Sequence, residues 1–142
     1  MQIINKDITT IESGIIIHVC NNKGVMGAGV AKALYTKWPR VRYDYINLKT
    51  YKLGTNNYVP INKNLMVVNM IAQDGFGYNG CYLKYDALES CLVGIATTAV
   101  LSENTQIFLP YKMGCGLAGG SWEEVSMLVD MHLLEAIVCK KC

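Results

Sequence analysis

Two segments of the chain, residues 14–20 and 65–72, are apolar at nearly every position. A strand with one face in water alternates apolar and polar residues, whereas a strand covered on both faces is continuously apolar. The two segments therefore predict buried central strands. Such strands belong to sheets that carry helices on both faces, so the intervening chain must supply those helices.

The remaining sequence alternates between short strands and amphipathic helices. Further strands are predicted at residues 2–5, near 59–61, at 106–109 and at 136–139. Helices are predicted from residue 29 to the proline at 39, over 40–48, over 83–101, and from the capping box Ser121-Trp-Glu-Glu124 to about residue 135. Pro60 lacks an N–H group and favours an edge position for its strand. The sequence thus predicts an α/β fold with a mixed, mostly parallel central sheet of about six strands and helices on both faces.

Composition restricts the class of protein further. The chain has 142 residues, 51% of them hydrophobic and 17% charged, which suits a single folded domain over residues 1–142. Its net charge of +2, without a basic block, weighs against a duplex nucleic acid as partner. The first ten residues lack the cationic start and apolar centre of a signal peptide, and no apolar run is long enough to span a bilayer. We expect a cytoplasmic protein with no membrane partner.

Six cysteines are scattered along the chain. The pair Cys139-Lys-Lys-Cys142 has the spacing of a metal or redox motif, but a zinc site needs about four ligands and no second pair is present. Thiols stay reduced in the cytosol. We therefore interpret the cysteines as thiols of the folded interior and expect no metal.

Two glycine-rich segments each follow a predicted strand and precede a helix. The first, "CNNKGVMGAG", follows residues 14–20, and the second, "YKMGCGLAGG", follows residues 106–109. In an open α/β sheet, ligands bind at the carboxyl ends of the strands, where helix N-termini attract anions. Glycine lets the backbone approach an anion closely. Two such loops at one edge of the sheet predict a site for the two phosphates of a pyrophosphate.

Known phosphate motifs fit these loops poorly. Gly114-Cys-Gly116-Leu-Ala-Gly119 spells a dinucleotide fingerprint, but its helix begins only after Ser121, and the expected acidic residue falls near Glu135 rather than at a strand end. The Gly-Lys-Ser/Thr sequence of ATPase loops is absent. A dinucleotide oxidoreductase is therefore disfavoured, while the interpretation of both loops as simple tight turns stays open.

Three stretches together resemble the macrodomain family: "NKDIT", "HVCNNKGVMGAGVAKAL" and "LPYKMGCGLAGGSWEEV". The similarity is greatest to a branch of small single-domain proteins. That branch contains the terminal ADP-ribose protein glycohydrolase, the DNA ADP-ribosyl glycohydrolase antitoxin and the yeast-type ADP-ribose 1''-phosphate phosphatase. The order of predicted elements matches the family over nearly the whole chain.

The resemblance implies ADP-ribose as ligand, with no cofactor, and an ADP-ribosylated macromolecule as a further partner. It assigns Asp7 and the backbone of Ile8 to adenine, and Asn21 to the distal ribose. The loop positions that it assigns to the pyrophosphate and distal ribose are Gly27, Ala28, Gly29, Val30, Met113, Gly114, Cys115, Gly116 and Leu117.

The sequence departs from the glycohydrolases of this branch at two positions. They use a lysine at the end of the strand before "QDGFG" and an aspartate just after "GCGL", where this chain has Gln73 and Ala118. Lysine-dependent removal of ADP-ribose from protein or DNA is therefore disfavoured. The candidate catalytic residues are Asn21, which would position the ribose, Asp74, which could activate a water molecule, and His18, which could transfer a proton.

Two functions remain open. The favoured one is hydrolysis of a small ADP-ribose derivative, most simply ADP-ribose 1''-phosphate to ADP-ribose. The other is a non-catalytic module that binds or sequesters ADP-ribose or a related signalling nucleotide. Phe76 and Tyr78, in the segment "QDGFGYNG", are candidates for a contact with the distal ribose or for a lid, with a solvated loop as the alternative.

Overall fold

A computed structural model describes residues 1–98 and 105–141. Its strands are β1 (Gln2–Asn5), β2 (Gly14–Asn21), β3 (Asn56–Pro60), β4 (Leu65–Gln73), β5 (Ile107–Pro110) and β6 (Ile137–Lys140). Its helices are α1 (Gly29–Lys37), α2 (Arg40–Ile46), α3 (Tyr85–Thr97) and α4 (Trp122–His132), and a 3-10 turn covers Ile8–Thr10.

The six strands form one sheet in the order β1-β6-β5-β2-β4-β3. Every neighbouring pair is parallel except β3 and β4, which are antiparallel. The predicted α/β fold and mixed sheet are thus confirmed. The edge position of β3 is confirmed as well, although this strand begins at Asn56, earlier than predicted, and ends at Pro60.

Side chains from β2 enter two separate cores, because successive residues of a strand point to opposite faces. Ile15 and Ile17 pack in one core with residues of α3 and α4. Ile16 packs on the other face with Leu34 of α1 and Val41 of α2. This two-sided covering explains why the strand sequence is apolar without alternation.

The ends of two helices differ from the prediction. Helix α3 runs from Tyr85 to Thr97, whereas the prediction covered 83–101, and residues 99–101 lie outside the described residues. Helix α4 ends at His132, followed by Leu133, whose N–H donates to the carbonyl of Val129. None of the helices within the described ranges is long and apolar enough to cross a membrane.

The predicted capping box at the start of α4 is wrong. Ser121 occupies the N-cap position, but its side chain makes no capping hydrogen bond within the part of the chain that the structure describes. Its backbone N–H donates instead to the hydroxyl of Tyr85 on α3, at 2.8 Å. A contact between helices therefore fixes the start of α4.

Gly14 begins β2 with φ of +118°, and a Cβ atom there would lie 2.6 Å from the carbonyl oxygen of Gln106. The variant Gly14→Ala combines a strained backbone with this overlap, so we expect its free energy of unfolding to fall by about 3 kcal/mol. Urea denaturation measures the change. The control Gly27→Ala places its Cβ where no atom lies within 4 Å, and it should change stability by less than about 0.5 kcal/mol. Equal stability of the two variants would contradict this account.

Candidate functional site

A cleft of about 540 Å³ lies at the carboxyl ends of β2 and β5. The two strands pair only at Ile15 with Ile107 and at Ile16 with Phe108. Beyond those pairs, residues 18–21 of β2 and Pro110 of β5 line the cleft. Separation of two central strands therefore forms the cleft, and its volume suits a small-molecule ligand.

Most of the residues predicted for the site lie together at this cleft. Those that line it are His18, Asn21, Gly27, Ala28, Gly29, Val30, Met113, Gly114, Gly116 and Leu117. Asp7, Ile8, Asp74 and Cys115 are not among the lining residues. Both glycine-rich loops thus contribute to one cavity, although they lie far apart in the sequence.

The side chain of Asn21 organises the first loop. Its Oδ1 accepts hydrogen bonds from the N–H of Lys23, at 2.9 Å, and from the hydroxyl of Tyr45, at 2.9 Å. Its Nδ2 donates to the carbonyl of Val25, at 2.6 Å. Both polar atoms of the amide therefore have partners within the protein. Tyr45 was missed at the sequence level, since nothing marks a tyrosine in α2 as a partner of β2.

Asn22 is a second residue that sequence reasoning missed. Its Nδ2 donates to Asp74 Oδ1, at 3.1 Å, and its Oδ1 accepts from the N–H of Gly75, at 3.0 Å. These bonds tie the end of β2 to the segment after β4. They also hold the exposed carboxylate of Asp74 beside Gln73, which lines the cleft.

Gly27 and Gly116 have no packing reason to be glycine. A Cβ atom at either position would meet no atom within 4 Å, and neither residue has a left-handed φ. Gly120, by contrast, is required by packing, because its Cβ would lie 2.6 Å from the carbonyl oxygen of Gly114. Glycine at an open position allows close approach of a ligand to the backbone.

Backbone N–H groups are available on both loops. Residues 29–31 form the first turn of α1, where N–H groups have no partner within the helix. Within the described chain, the N–H groups of Gly116, Leu117 and Ala118 also have no hydrogen-bond acceptor. Such groups, together with the positive end of a helix dipole, form an anion site.

The second loop is bonded to the segment that follows β4. The carbonyl of Ala118 accepts hydrogen bonds from the N–H groups of Tyr82, at 2.8 Å, and Leu83, at 3.0 Å. Ala118 is buried and lines the cleft. The backbone of this residue therefore holds the loop in place.

His18 belongs to a buried polar network beneath α2. Its Nε2 bonds to Asn69 Oδ1, and the Nδ2 of Asn69 donates to the carbonyl of Val41, at 3.1 Å. Because a carbonyl can only accept, this bond fixes the amide orientation, and Nε2 of His18 must carry the hydrogen. Burial lowers the pKa of His18 to about 4, so the ring is neutral at neutral pH. Asn69 was missed, although a polar residue in an apolar strand is a detectable signal.

Among the described cleft-lining residues, Lys112 carries the only charge at neutral pH, and none carries a carboxylate. Burial raises the pKa of the Cys20 and Cys115 thiols, which disfavours thiolates at these positions. Within the described ranges there is no group of three or more His, Cys, Asp or Glu side chains that could hold a metal ion. The cleft therefore offers backbone donors and apolar surface.

Asp7 lies at the start of the 3-10 turn, outside the cleft lining. Its carboxylate accepts from the N–H and hydroxyl of Thr9, at 3.0 and 2.8 Å, and pairs with Lys141 Nζ, at 3.3 Å. The Thr9 hydrogen bonds and the lysine hold the pKa of this carboxyl below its usual range. The next residue, Ile8, is buried in the core beneath α1 and α2.

No protein-family model matches the sequence, and neither does any curated protein. Solved structures do match. A protein of unknown function from Bacteroides thetaiotaomicron is 30% identical, with 99% of this chain and 97% of that one covered and a TM-score of 0.83. A macrodomain protein from Streptomyces coelicolor is 26% identical, with 99% and 98% covered and a TM-score of 0.80. DarTG from Thermosipho africanus, solved in complex with ADP-ribose, is 17% identical, with 99% and 41% covered and a TM-score of 0.76.

The fold is that of a macrodomain. The match to the Streptomyces coelicolor macrodomain protein covers nearly all of both chains. This similarity confirms the macrodomain that the sequence motifs predict.

The buried, neutral His18 makes stability depend on pH. Its pKa is lowered in the folded state from an ordinary value of 6.5 to about 4, so its contribution is complete above pH 6.5 and is lost as the pH falls. We expect the free energy of unfolding to drop by about 2 kcal/mol between pH 7 and pH 5. Urea denaturation at both pH values measures this drop. It should disappear in His18→Gln and persist in His132→Gln; a drop of equal size in both variants would contradict the assignment.

Proposed function

We propose that this macrodomain binds ADP-ribose, or a close derivative of it, in the cleft between the two glycine-rich loops. The observation that carries the proposal is the open space at Gly27 and Gly116. Packing does not explain why these two positions are glycine, whereas a ligand that approaches the backbone there does. The ADP-ribose complex of the Thermosipho africanus structure supports the choice of ligand. An ADP-ribosylated macromolecule presents the same group and falls within the proposal.

Each part of the ligand would contact a different part of the cleft. Backbone N–H groups of residues 29–31 and 116–118 would donate to the two phosphates. Adenine would lie toward Asp7, since β1 and β6 lie on the β5 side of the cleft. The distal ribose would then lie toward β4, with Asn21 acting mainly through the shape of the first loop.

Hydrolysis of ADP-ribose 1''-phosphate is the second candidate function. Asn22 holds the exposed Asp74 beside the cleft-lining Gln73, where its carboxylate could orient a water molecule. Against it, the described cleft lining carries no carboxylate, and the buried, neutral His18 holds its Nε2 hydrogen bonded to Asn69. Binding without turnover is the function that the geometry supports best.

Calorimetry with ADP-ribose tests the binding proposal. We expect specific binding, with ADP and AMP weaker because they lack the distal ribose. The variant Gly116→Val fills the open space with a side chain and should weaken ADP-ribose binding at least about tenfold, while leaving the fold intact. The control Ala96→Val adds bulk at an exposed position of α3 and should bind normally. Undetectable ADP-ribose binding by the parent protein would refute the proposal.

Phosphate release from ADP-ribose 1''-phosphate tests the second candidate. Non-catalytic binding predicts no release above background at high protein concentration. Release that Asp74→Asn abolishes, while ADP-ribose affinity stays unchanged, would instead establish the hydrolase.

A further inference from the structure

Two aromatic side chains at the cleft are strongly exposed. Phe76 is 54% exposed and Tyr78 is 85% exposed, and both line the cleft. They belong to residues 74–82, which follow β4 and which we call the aromatic segment. Large exposed apolar side chains at the edge of a cavity indicate a surface for binding.

The conformation of the aromatic segment is set by packing around Tyr82. A Cβ atom at Gly77 would overlap the Tyr82 hydroxyl, and one at Gly80 would lie 2.8 Å from Cζ of the same ring. The segment therefore wraps closely around one tyrosine ring. Tyr82 is half-buried, whereas Phe76 and Tyr78 lie at the surface.

Both ends of the aromatic segment are bonded to the glycine-rich loops. The N–H of Gly75 donates to Asn22 Oδ1, at 3.0 Å, next to the first loop. The N–H of Tyr82 donates to the carbonyl of Ala118, at 2.8 Å, in the second loop. The two exposed aromatic residues are thus held at a defined end of the cleft.

The sheet order shows which end this is. Strand β4 lies on the far side of β2 from β5, β6 and β1. With adenine toward Asp7, as the proposed function places it, the aromatic segment lies at the distal-ribose end.

The chemistry of this end suits a planar ring better than a phosphate. Lys112 is the one cation among the described lining residues, and it follows β5, on the other side of β2. A phosphate at the distal ribose would have no cationic partner from the lining near β4. Aromatic faces, in contrast, stack on any planar ring.

We infer that Phe76 and Tyr78 form a stacking subsite for a planar, uncharged ring that the ligand carries on its distal ribose. The inference rests on the proposed function and extends it to a class of ligand. The macrodomain would then prefer ADP-ribose joined to a base-like ring over free ADP-ribose or its 1''-phosphate.

NADH is a direct probe, because it is ADP-ribose with an uncharged dihydronicotinamide ring on the distal ribose. We expect calorimetry to show tighter binding of NADH than of ADP-ribose to the parent protein. Phe76→Ala and Tyr78→Ala should each weaken NADH binding about fivefold or more, the usual effect of losing one stacked ring. Their ADP-ribose affinity should fall by a smaller factor than their NADH affinity, because ADP-ribose lacks the stacked ring. Tyr43→Ala removes a 67% exposed aromatic side chain on α2, outside the cleft, and should affect neither ligand.

The results separate the two proposals. ADP-ribose binding with no preference for NADH, or equal losses for both ligands in the two variants, overturns the stacking subsite and leaves the proposed function intact. Undetectable binding of ADP-ribose by the parent protein overturns the proposed function and the subsite with it.

Discussion

The first glycine-rich loop depends on one side-chain amide at the end of β2. Asn21 bonds to Lys23 and Val25 in the loop and to Tyr45 in α2, so a change in the position of α2 would be transmitted to the loop. Tyr45 is fully buried, and its carbonyl accepts from the hydroxyl of Tyr51 at 2.8 Å. Because buried polar groups are costly to leave unpaired, this network allows few alternative loop conformations.

The sequence predicted the layers of the fold and most positions along the cleft, but not the contacts that hold the cleft together. The continuous apolar runs of β2 and β4 were sufficient to place the sheet, and the paired glycine-rich loops were sufficient to locate the cleft. Pairs such as Asn22 with Asp74, and Ser121 with Tyr85, join residues remote in sequence. Local patterns carry no information on such pairs, which is why the capping box at Ser121 was predicted wrongly.

Gln73 and Ala118 have structural roles. At these two positions the resemblance to the glycohydrolases predicts a lysine and an aspartate. Gln73 donates from Nε2 to the carbonyl of Gly75, at 3.0 Å, and so stabilises the turn after β4. Ala118 contributes through its carbonyl, which holds Tyr82 and Leu83. At these two positions the side chains of the cleft therefore provide neither a nucleophile nor an acid.

The early end of pairing between β2 and β5 has a thermodynamic consequence. A ligand bound in the cleft would contact both strands, beyond the point where their backbones pair at Ile15 and Ile16. Those strands belong to remote parts of the sequence, so the complete binding surface exists only when the central sheet is assembled. Ligand binding is then linked to global folding: at a hundred times its dissociation constant, a ligand would add about 2.7 kcal/mol to the free energy of unfolding. The concentration of a ligand would therefore help to set the fraction of the protein that is folded.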